Sequence, residues 1–544
     1  MRHHPIPEGL SQTNWDVIII GAGINGTGIA RDAAMRGLKV LLLEKEDISS
    51  GTSAWSSRLV HGGLRYLEYL EISLVRESLS ERERLLKNAP HLVKPLQFAI
   101  PFYKQNRRGP LLFRMGMLAY DVLSFDKSLD HHHVLNNKQV FEKIGAINPD
   151  GLRGAAMYFD CQSEYAERLS VENALSAQEH GAVVINYAKV NRFVLEGNTV
   201  RGVEFTDLLE QKSYTVQAPV VINVGGPWVD EVLKGIGKPI KRLIGGTKGS
   251  HFVIDPFPGA PKTAIYYEAR SDGRAIMVLP WTGRYLIGST DLYYKDDLDY
   301  VRMDDDELDY LVKETNILFP SANLTPEKIL YSYSGIRPLP YVEGKSTAAV
   351  TRRHIIYDHS PEVKGLISIV GGKLTTFRNL AEQSVDLVYK KLGKPSPSCS
   401  THNLPLPGAD RNFEAFRRQF LAQSGLPDDI ARHLVDVYGI RAEEVLDLAD
   451  RTPELKNRLS PTDPTIGAEV VFAFEKEMAE TINDVFLRRS MTAYNSQVGF
   501  DALAPAAELA GRHLGWNAAK VQSEIADYQK YIERYRPRAL EPVG

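Results

Sequence analysis

Cysteine is nearly missing from this chain: only Cys161 and Cys399 occur among 544 residues. Two thiols cannot build a disulfide framework or a cysteine-rich metal site, so a reducing, cytosol-facing compartment is expected. No run approaches the ~18 apolar residues needed to span a bilayer. Residues 1–14 contain two prolines and no apolar stretch, which predicts a short tail rather than a signal peptide. Charge of one sign is lacking too, with 65 basic side chains against 68 acidic ones and a formal net charge of −3. Without a basic field nucleic acid is not an expected partner, and any anionic substrate needs a local cluster of arginine and lysine. No GxSxG nucleophile elbow is present, which leaves hydrolase chemistry without support. Gly371–Thr376, GGKLTT, does not have the spacing of a Walker phosphate loop. His131, His132 and His133 lack partner carboxylates or cysteines at ligand spacing, so a solvated loop and no metal are expected.

What is present is an ordinary globular composition, 43% hydrophobic and 24% charged, at a length that calls for two or three packed domains. Val17–Ile20 is a short apolar run ended by glycine, as in a buried parallel strand. Residues 24–37 follow as a helix, and Lys39–Leu43 as the next strand, closing one βαβ unit. Strand-like runs recur at Ala182–Ile185, Pro219–Asn223, Ser250–Ile254, Ala275–Leu279, Tyr285–Ile287 and Leu366–Val370. Their period-2 pattern predicts an antiparallel sheet inserted into the nucleotide domain. Residues 396–410 lie in a stretch rich in Pro, Ser and Gly and read as a linker. Beyond it, 411–424, 428–450, 466–489 and 502–535 carry helical periodicity, so 411–544 is expected to be all-α.

The glycines give the first chemistry. Gly21, Gly23 and Gly26 form GxGxxG directly after a strand and at the start of a helix. The first makes the turn, the second admits a pyrophosphate, and the third lets helix and strand pack closely. The helix N-terminus supplies free N–H groups and a positive dipole end to that pyrophosphate. Glu44 ends the second strand, near the spacing at which a carboxylate accepts hydrogen bonds from ribose hydroxyls. The fingerprint alone leaves NAD and FAD open. A second glycine turn, VVINVGG at 220–226 with Gly225, favours FAD, because it is similar to the strand-turn that returns beneath the cofactor in two-dinucleotide-fold flavoproteins.

Gly51–Glu68, GTSAWSSRLVHGGLRYLE, resembles the signature of FAD-dependent glycerol-3-phosphate dehydrogenases within the D-amino-acid-oxidase-like flavoproteins. KGSH at Lys248–His251, GSTD at Gly288–Asp291, YSGIRPL at Tyr333–Leu339 and GGKLTTFR at Gly371–Arg378 match that family in the same order. Glu477–Ser490 resembles its helical cap, so the likeness spans roughly residues 15–500. The implied architecture is α/β: an FAD-binding Rossmann-like domain with an interleaved mixed or antiparallel-sheet substrate domain over 15–395, plus the all-α C-terminal domain. The stretch Asp160–Leu169 departs from the family's acidic pair.

The resemblance implies that Arg65 and Arg337 clamp the substrate from two sides, with Tyr66 and Lys373 completing a polar wall. His251 and His61 are the candidates for the base, because an imidazole near neutrality suits abstraction of a hydroxyl proton. Lys373 or Arg337 would orient that hydroxyl. Ser53, Ser56 and Ser57 lie where hydroxyls could meet the pyrophosphate or ring edge, and Gly371 and Gly372 let backbone approach the flavin.

The implied reaction is oxidation of glycerol 3-phosphate to dihydroxyacetone phosphate, with electrons passed to a membrane quinone. Residues 104–123 place Lys104, Arg107, Arg108 and Arg114 around an apolar face, a pattern suited to peripheral attachment on the cytoplasmic side of an anionic membrane. The same pattern fits a core helix with a basic edge. An oxidase that returns electrons to oxygen, an amine oxidase and a non-catalytic FAD-binding protein are the alternatives. A homo-oligomer is a weaker expectation.

Overall fold

The structure, a computed structural model, describes residues 2–106, 109–344, 350–410 and 412–537, without the side chains of 110–112. Its organising element is β1 (Val17–Ile20), a run of one valine and three isoleucines that is buried throughout. It pairs in parallel with β2 (Val40–Leu43) on one side and with Val220–Asn223 on the other. The six-stranded sheet runs Ile355–Asp358, Leu366–Val370, Val220–Asn223, β1, β2, Val183–Ile185. Val17, Ile19, Val40 and Leu42 enter one apolar cluster, whereas Ile18, Ile20, Leu41 and Leu43 enter another. Both faces are therefore covered, which is why these strands are continuously apolar in sequence. The helix α1 (Ile24–Met35) packs between helices Ala166–Glu179 and Phe377–Leu392.

A ten-stranded sheet forms the second layer, its strands antiparallel except where Ala264–Glu268 meets Val93–Tyr103. A three-stranded antiparallel meander, Ala188–Glu196, Thr199–Asp207 and Lys212–Gln217, stands apart. Leu366–Val370 has the expected bounds, while Thr247–Ile254 starts three residues earlier than its apolar run. Five strands of nine residues or more lie outside the expected set: Val93–Tyr103, Leu152–Ser163, Ala188–Glu196, Thr199–Asp207 and Ile329–Arg337. The first contains Pro95 and Pro101, which read as breakers in sequence. The second is buried on both faces, so it has no alternation, and it carries Asp160, Gln162 and Ser163 into the interior.

Residues 396–410 are pinned to the first layer. Arg31 donates to the carbonyls of Leu404 and Pro405, and Glu172 accepts from the Gly408 amide. The tail is also tied down, with the buried Arg2 paired to Asp207 and Glu480.

Beyond residue 412 helices run Phe413–Gln423, Asp428–Tyr438, Ala442–Arg451, Gly467–Lys476, Phe500–Leu514 and Ala518–Ile532, with no strand among the described residues. The helical segment 428–450 is divided at Gly439, whose φ of 61° and contact with the Gly408 carbonyl leave no room for a side chain. The helical segment 466–489 is interrupted after Lys476, where Glu477 turns inward. Glu477 receives both ends of the Arg168 guanidinium at 2.5 and 2.8 Å and a third bond from Arg441. Nearby, Asp47 accepts from Arg488 and Arg489, which fastens the C-terminal helices to the loop after β2. These charges are fully buried, so removing one partner leaves the other unpaired in a low dielectric. Arg168→Ala is expected to cost about 3–5 kcal/mol of stability, read as a lowered chemical-denaturation midpoint.

Candidate functional site

A cleft of about 1450 Å³ runs from the glycine turn after β1, along the 51–57 loop, to the inner face of the ten-stranded sheet. The two flanking glycines of the fingerprint are sterically required. Gly21 has φ +106°, and a Cβ there would stand 2.7 Å from the Val224 carbonyl oxygen; one at Gly26 would collide with the Gly21 carbonyl. Gly23 is different, since a Cβ there would meet only the Ser53 hydroxyl, at 3.2 Å. Its open side lines the cleft at the N-terminus of α1, which has no side-chain cap. The Ser53 hydroxyl accepts from the Ile24 amide at 3.0 Å.

Glu44 sits at the same end, held by the amides of Ala22 (2.7 Å) and Glu46 (2.9 Å). Burial nevertheless pushes its carboxyl up to about 7. Gly225 lines the opposite wall, its amide bonded to the Asn223 side chain at 3.1 Å. Gly371 and Gly372 take positive φ, and Asn25 on α1 donates to the Gly371 carbonyl. An anion-facing helix end, an inward carboxylate and side-chain-free backbone on both walls fit an extended dinucleotide.

The far end is cationic. Arg337 ends its strand and lies over Gly249, where any side chain would collide with the guanidinium. It donates to the Ser289 hydroxyl (2.7 Å) and the Thr290 carbonyl (3.2 Å) and pairs with Asp291 at 3.3 Å. Arg65 and Tyr66 lie on the 3₁₀ turn Leu64–Tyr69, started by Gly63 in the left-handed region. Burial raises the Tyr66 hydroxyl, the charges of Arg352, Arg65 and Arg337 partly offset this, and Glu71 adds to it. Lys373 lies 4.7 Å from the Tyr66 ring centre and donates to Ser78 at 2.9 Å. Burial brings its ammonium down to about 8.

Both histidines line the cleft. Burial, then the nearby Arg337 and Arg58, bring His251 down to about 3. Its Nε2 is 2.8 Å from the Ser57 hydroxyl, while its Nδ1 is buried with no hydrogen-bond partner among the described residues. His61 is also held well below its ordinary value by burial, then by Lys373 and Arg82. Its carbonyl accepts from Lys373 and its amide donates to Thr375. Ser56 is engaged locally by the Arg58 amide.

Among the lining residues that the motifs did not single out are Arg352, Asp291 and Asp160. Arg352 pairs with Asp291 at 3.2 Å but lies in a stretch without a recognisable motif. Asp291 is the last residue of the GSTD segment. Asp160 accepts from Arg82, Tyr120 and the Gly62 amide, so it braces the loop that carries His61, Arg65 and Tyr66. The altered stretch 160–169 is thus partly a buttress of the site. His132 and His131 both meet Asp121, and no metal-holding cluster occurs among the described residues.

Comparison with known proteins places these features. Residues 16–378 match the family model described as FAD dependent oxidoreductase, and residues 399–521 match the C-terminal domain of alpha-glycerophosphate oxidase. A Synechocystis sp. protein named glycerol-3-phosphate dehydrogenase is 47% identical over 98% of both chains. The aerobic glycerol-3-phosphate dehydrogenase of Staphylococcus aureus is 34% identical over 100% of this chain and 98% of its own. The structure of the Bacillus halodurans glycerol-3-phosphate dehydrogenase complexed with FAD superposes with a TM-score of 0.79 at 28% identity, covering 98% of this chain and 97% of that one. The chain therefore belongs to the FAD-dependent oxidoreductase family, and it is a flavoenzyme carrying the C-terminal domain of the alpha-glycerophosphate oxidases.

Proposed function

We propose that this enzyme oxidises sn-glycerol 3-phosphate to dihydroxyacetone phosphate and passes the electrons to a membrane quinone. The observation that carries this reading is that Arg65, Arg337 and Arg352 line one cleft together, with Arg337 and Arg352 held side by side on Asp291. Guanidinium forks match phosphate oxygens in geometry and charge. The relatives' names point to the same substrate.

In this reading Gly21, Gly23, Gly26, Glu44, Ser53, Gly225, Gly371 and Gly372 hold FAD, with Ser56 and Ser57 at the ring edge. Bound FAD supplies the acceptor for the hydride leaving the substrate C2. The arginines seat the phosphate and so fix C2 in the cleft. His251 accepts the C2 hydroxyl proton, and His61 is the second candidate. Both rings are neutral at pH 7, the form a base requires, because burial and nearby cations disfavour imidazolium. A phosphate dianion on those arginines offsets the cationic field and raises the proton affinity of His251 when substrate is present. Lys373 donates toward the same hydroxyl and stabilises negative charge as the proton leaves.

A pH profile follows. Since His251 titrates at about 3, kcat/KM should show no fall near pH 6.5 from that ring. Lys373 is useful only as a cation, so kcat/KM should fall as pH rises through about 8. Lys373→Arg should shift that alkaline limb upward. An alkaline limb unmoved by Lys373→Arg would assign it elsewhere.

The membrane reading rests on the helix Pro110–Leu123, where Arg114, Met115, Leu118 and Val122 are exposed beside Tyr69, Leu70 and Ile72. Phe113 and Met117 face the interior instead, so they are core and not part of the apolar outer face. Leu111 and Leu112 lie outside the described side chains, and Arg107 and Arg108 outside the described residues. No described helix is long and apolar enough to cross a membrane. The acceptor is tested by following substrate-dependent turnover with a soluble quinone and, separately, oxygen uptake. The quinone rate should exceed the oxygen rate by about tenfold or more, a margin that corresponds to about 1.4 kcal/mol. Stoichiometric peroxide would identify an oxidase.

A further inference from the structure

Asp291 is an unexpected group to find in an anion-binding end. Its two carboxylate oxygens face Arg337 at 3.3 Å and Arg352 at 3.2 Å, and its charge also reaches Arg65. It is partly buried, 18% exposed in its side chain, and it lines the cleft. No other acidic side chain is within salt-bridge distance of Arg337 or Arg352 among the described residues; the remaining bonds of Arg337 go to Ser289 and to a carbonyl. One Nη of Arg352 is buried without a partner, so that guanidinium retains an unused donor.

The charge count at this end is simple. Around Asp291 itself stand three positive charges, Arg65, Arg337 and Arg352, and Asp291 offsets one of them; Lys373 and Glu71 line the cleft further along. A ligand with a phosphate and a carboxylate carries a further negative charge, which would meet the Asp291 carboxylate at close range. Like charges at such a distance discriminate by repulsion, which attractive contacts cannot do.

We propose that Asp291 is a specificity-determining residue: by occupying one edge of Arg337 and Arg352, it admits phosphorylated alcohols and rejects phosphorylated carboxylic acids. The inference rests on the phosphate-site reading above. The carboxylate also keeps the two guanidiniums in fixed relation, so a purely structural role is the alternative to be separated.

The test uses purified holoenzyme and two inert phosphates, ethyl phosphate as the dianion and phosphoglycolate as the trianion. Their dissociation constants are titrated from the perturbation of the flavin spectrum, which needs no turnover. Asp291→Asn and Asp291→Ser are compared with the wild type, each first shown to retain flavin. In both variants phosphoglycolate should gain about tenfold in affinity relative to ethyl phosphate, the scale of one unit charge removed from a partly screened site. Asp291→Glu should restore the wild-type ratio. If both ligands weaken together and their ratio stays fixed, Asp291 only positions the arginines and the proposal is overturned. Reduction of the wild-type flavin by glycerol 3-phosphate is scored separately. Its absence would sink the substrate reading, while the affinity ratio would still judge Asp291.

Discussion

Arg337→Ala lowers kcat/KM for glycerol 3-phosphate by about two to three orders of magnitude while flavin stays bound, if the cationic end seats the phosphate. The size follows from truncating one member of a desolvated charge pair, which costs about 2–5 kcal/mol. Arg337 is held in place by three contacts and by the missing side chain of Gly249, over which its guanidinium lies; Arg65 and Arg352 remain, so the loss is partial and not complete. Two further effects distinguish loss of the phosphate clamp from general damage. Activity toward unphosphorylated glycerol, however small, should be nearly unchanged, because glycerol has no phosphate to lose. The acid side of the pH profile should also rise toward neutrality, since Arg337 is the largest electrostatic contributor, after burial, holding His251 low. Steady-state kinetics over a pH series reads both effects. An Arg337→Ala enzyme with near-normal kcat/KM would place the phosphate elsewhere.

The second large effect concerns the fingerprint glycines. Gly26→Ala should abolish recovery of folded holoenzyme, because its methyl group collides with the Gly21 carbonyl, which is backbone held by the sheet. Gly23→Ala should fold with near-normal stability, since the new methyl meets only a serine hydroxyl at 3.2 Å. It should instead weaken FAD binding, because the methyl projects into the space where the pyrophosphate approaches α1. Soluble yield, circular dichroism and the flavin-to-protein absorbance ratio separate the two outcomes. Equal loss of flavin and fold in both variants would mean that Gly23 is a packing glycine like Gly26.

The contrast shows which parts of the molecule were legible from sequence. The βαβ unit was, because Val17–Ile20, the glycine turn and Glu44 each obey a local rule that long-range packing reinforces. The helical C-terminal region was legible in kind, though its breaks at Gly439 and Glu477 come from partners far away in sequence, the Gly408 carbonyl and Arg168. Val93–Tyr103 and Leu152–Ser163 were not, because a strand buried on both faces has no alternation and prolines disguise it. Within the site, Arg65, Tyr66, Arg337 and Lys373, each part of a motif visible in the sequence, line one cleft. Arg352 and Asp160 could not be found that way. Each acquires its place through a tertiary contact, with Asp291 in one case and with Arg82 and Tyr120 in the other. The pattern of 104–123 fitted a membrane-facing helix and a core helix with a basic edge alike; Phe113 and Met117 pack inward while Met115, Leu118 and Val122 are exposed, because a helix lying on a sheet needs an apolar inner stripe.

The most direct test of the central claim is anaerobic mixing of the purified holoenzyme with glycerol 3-phosphate while the flavin absorbance near ~450 nm is followed. The account predicts rapid and complete bleaching by glycerol 3-phosphate, and negligible bleaching by glycerol at the same concentration. A flavin that stays oxidised with glycerol 3-phosphate but is reduced by an amine or amino acid would contradict it, and would reassign the arginine cluster to a carboxylate.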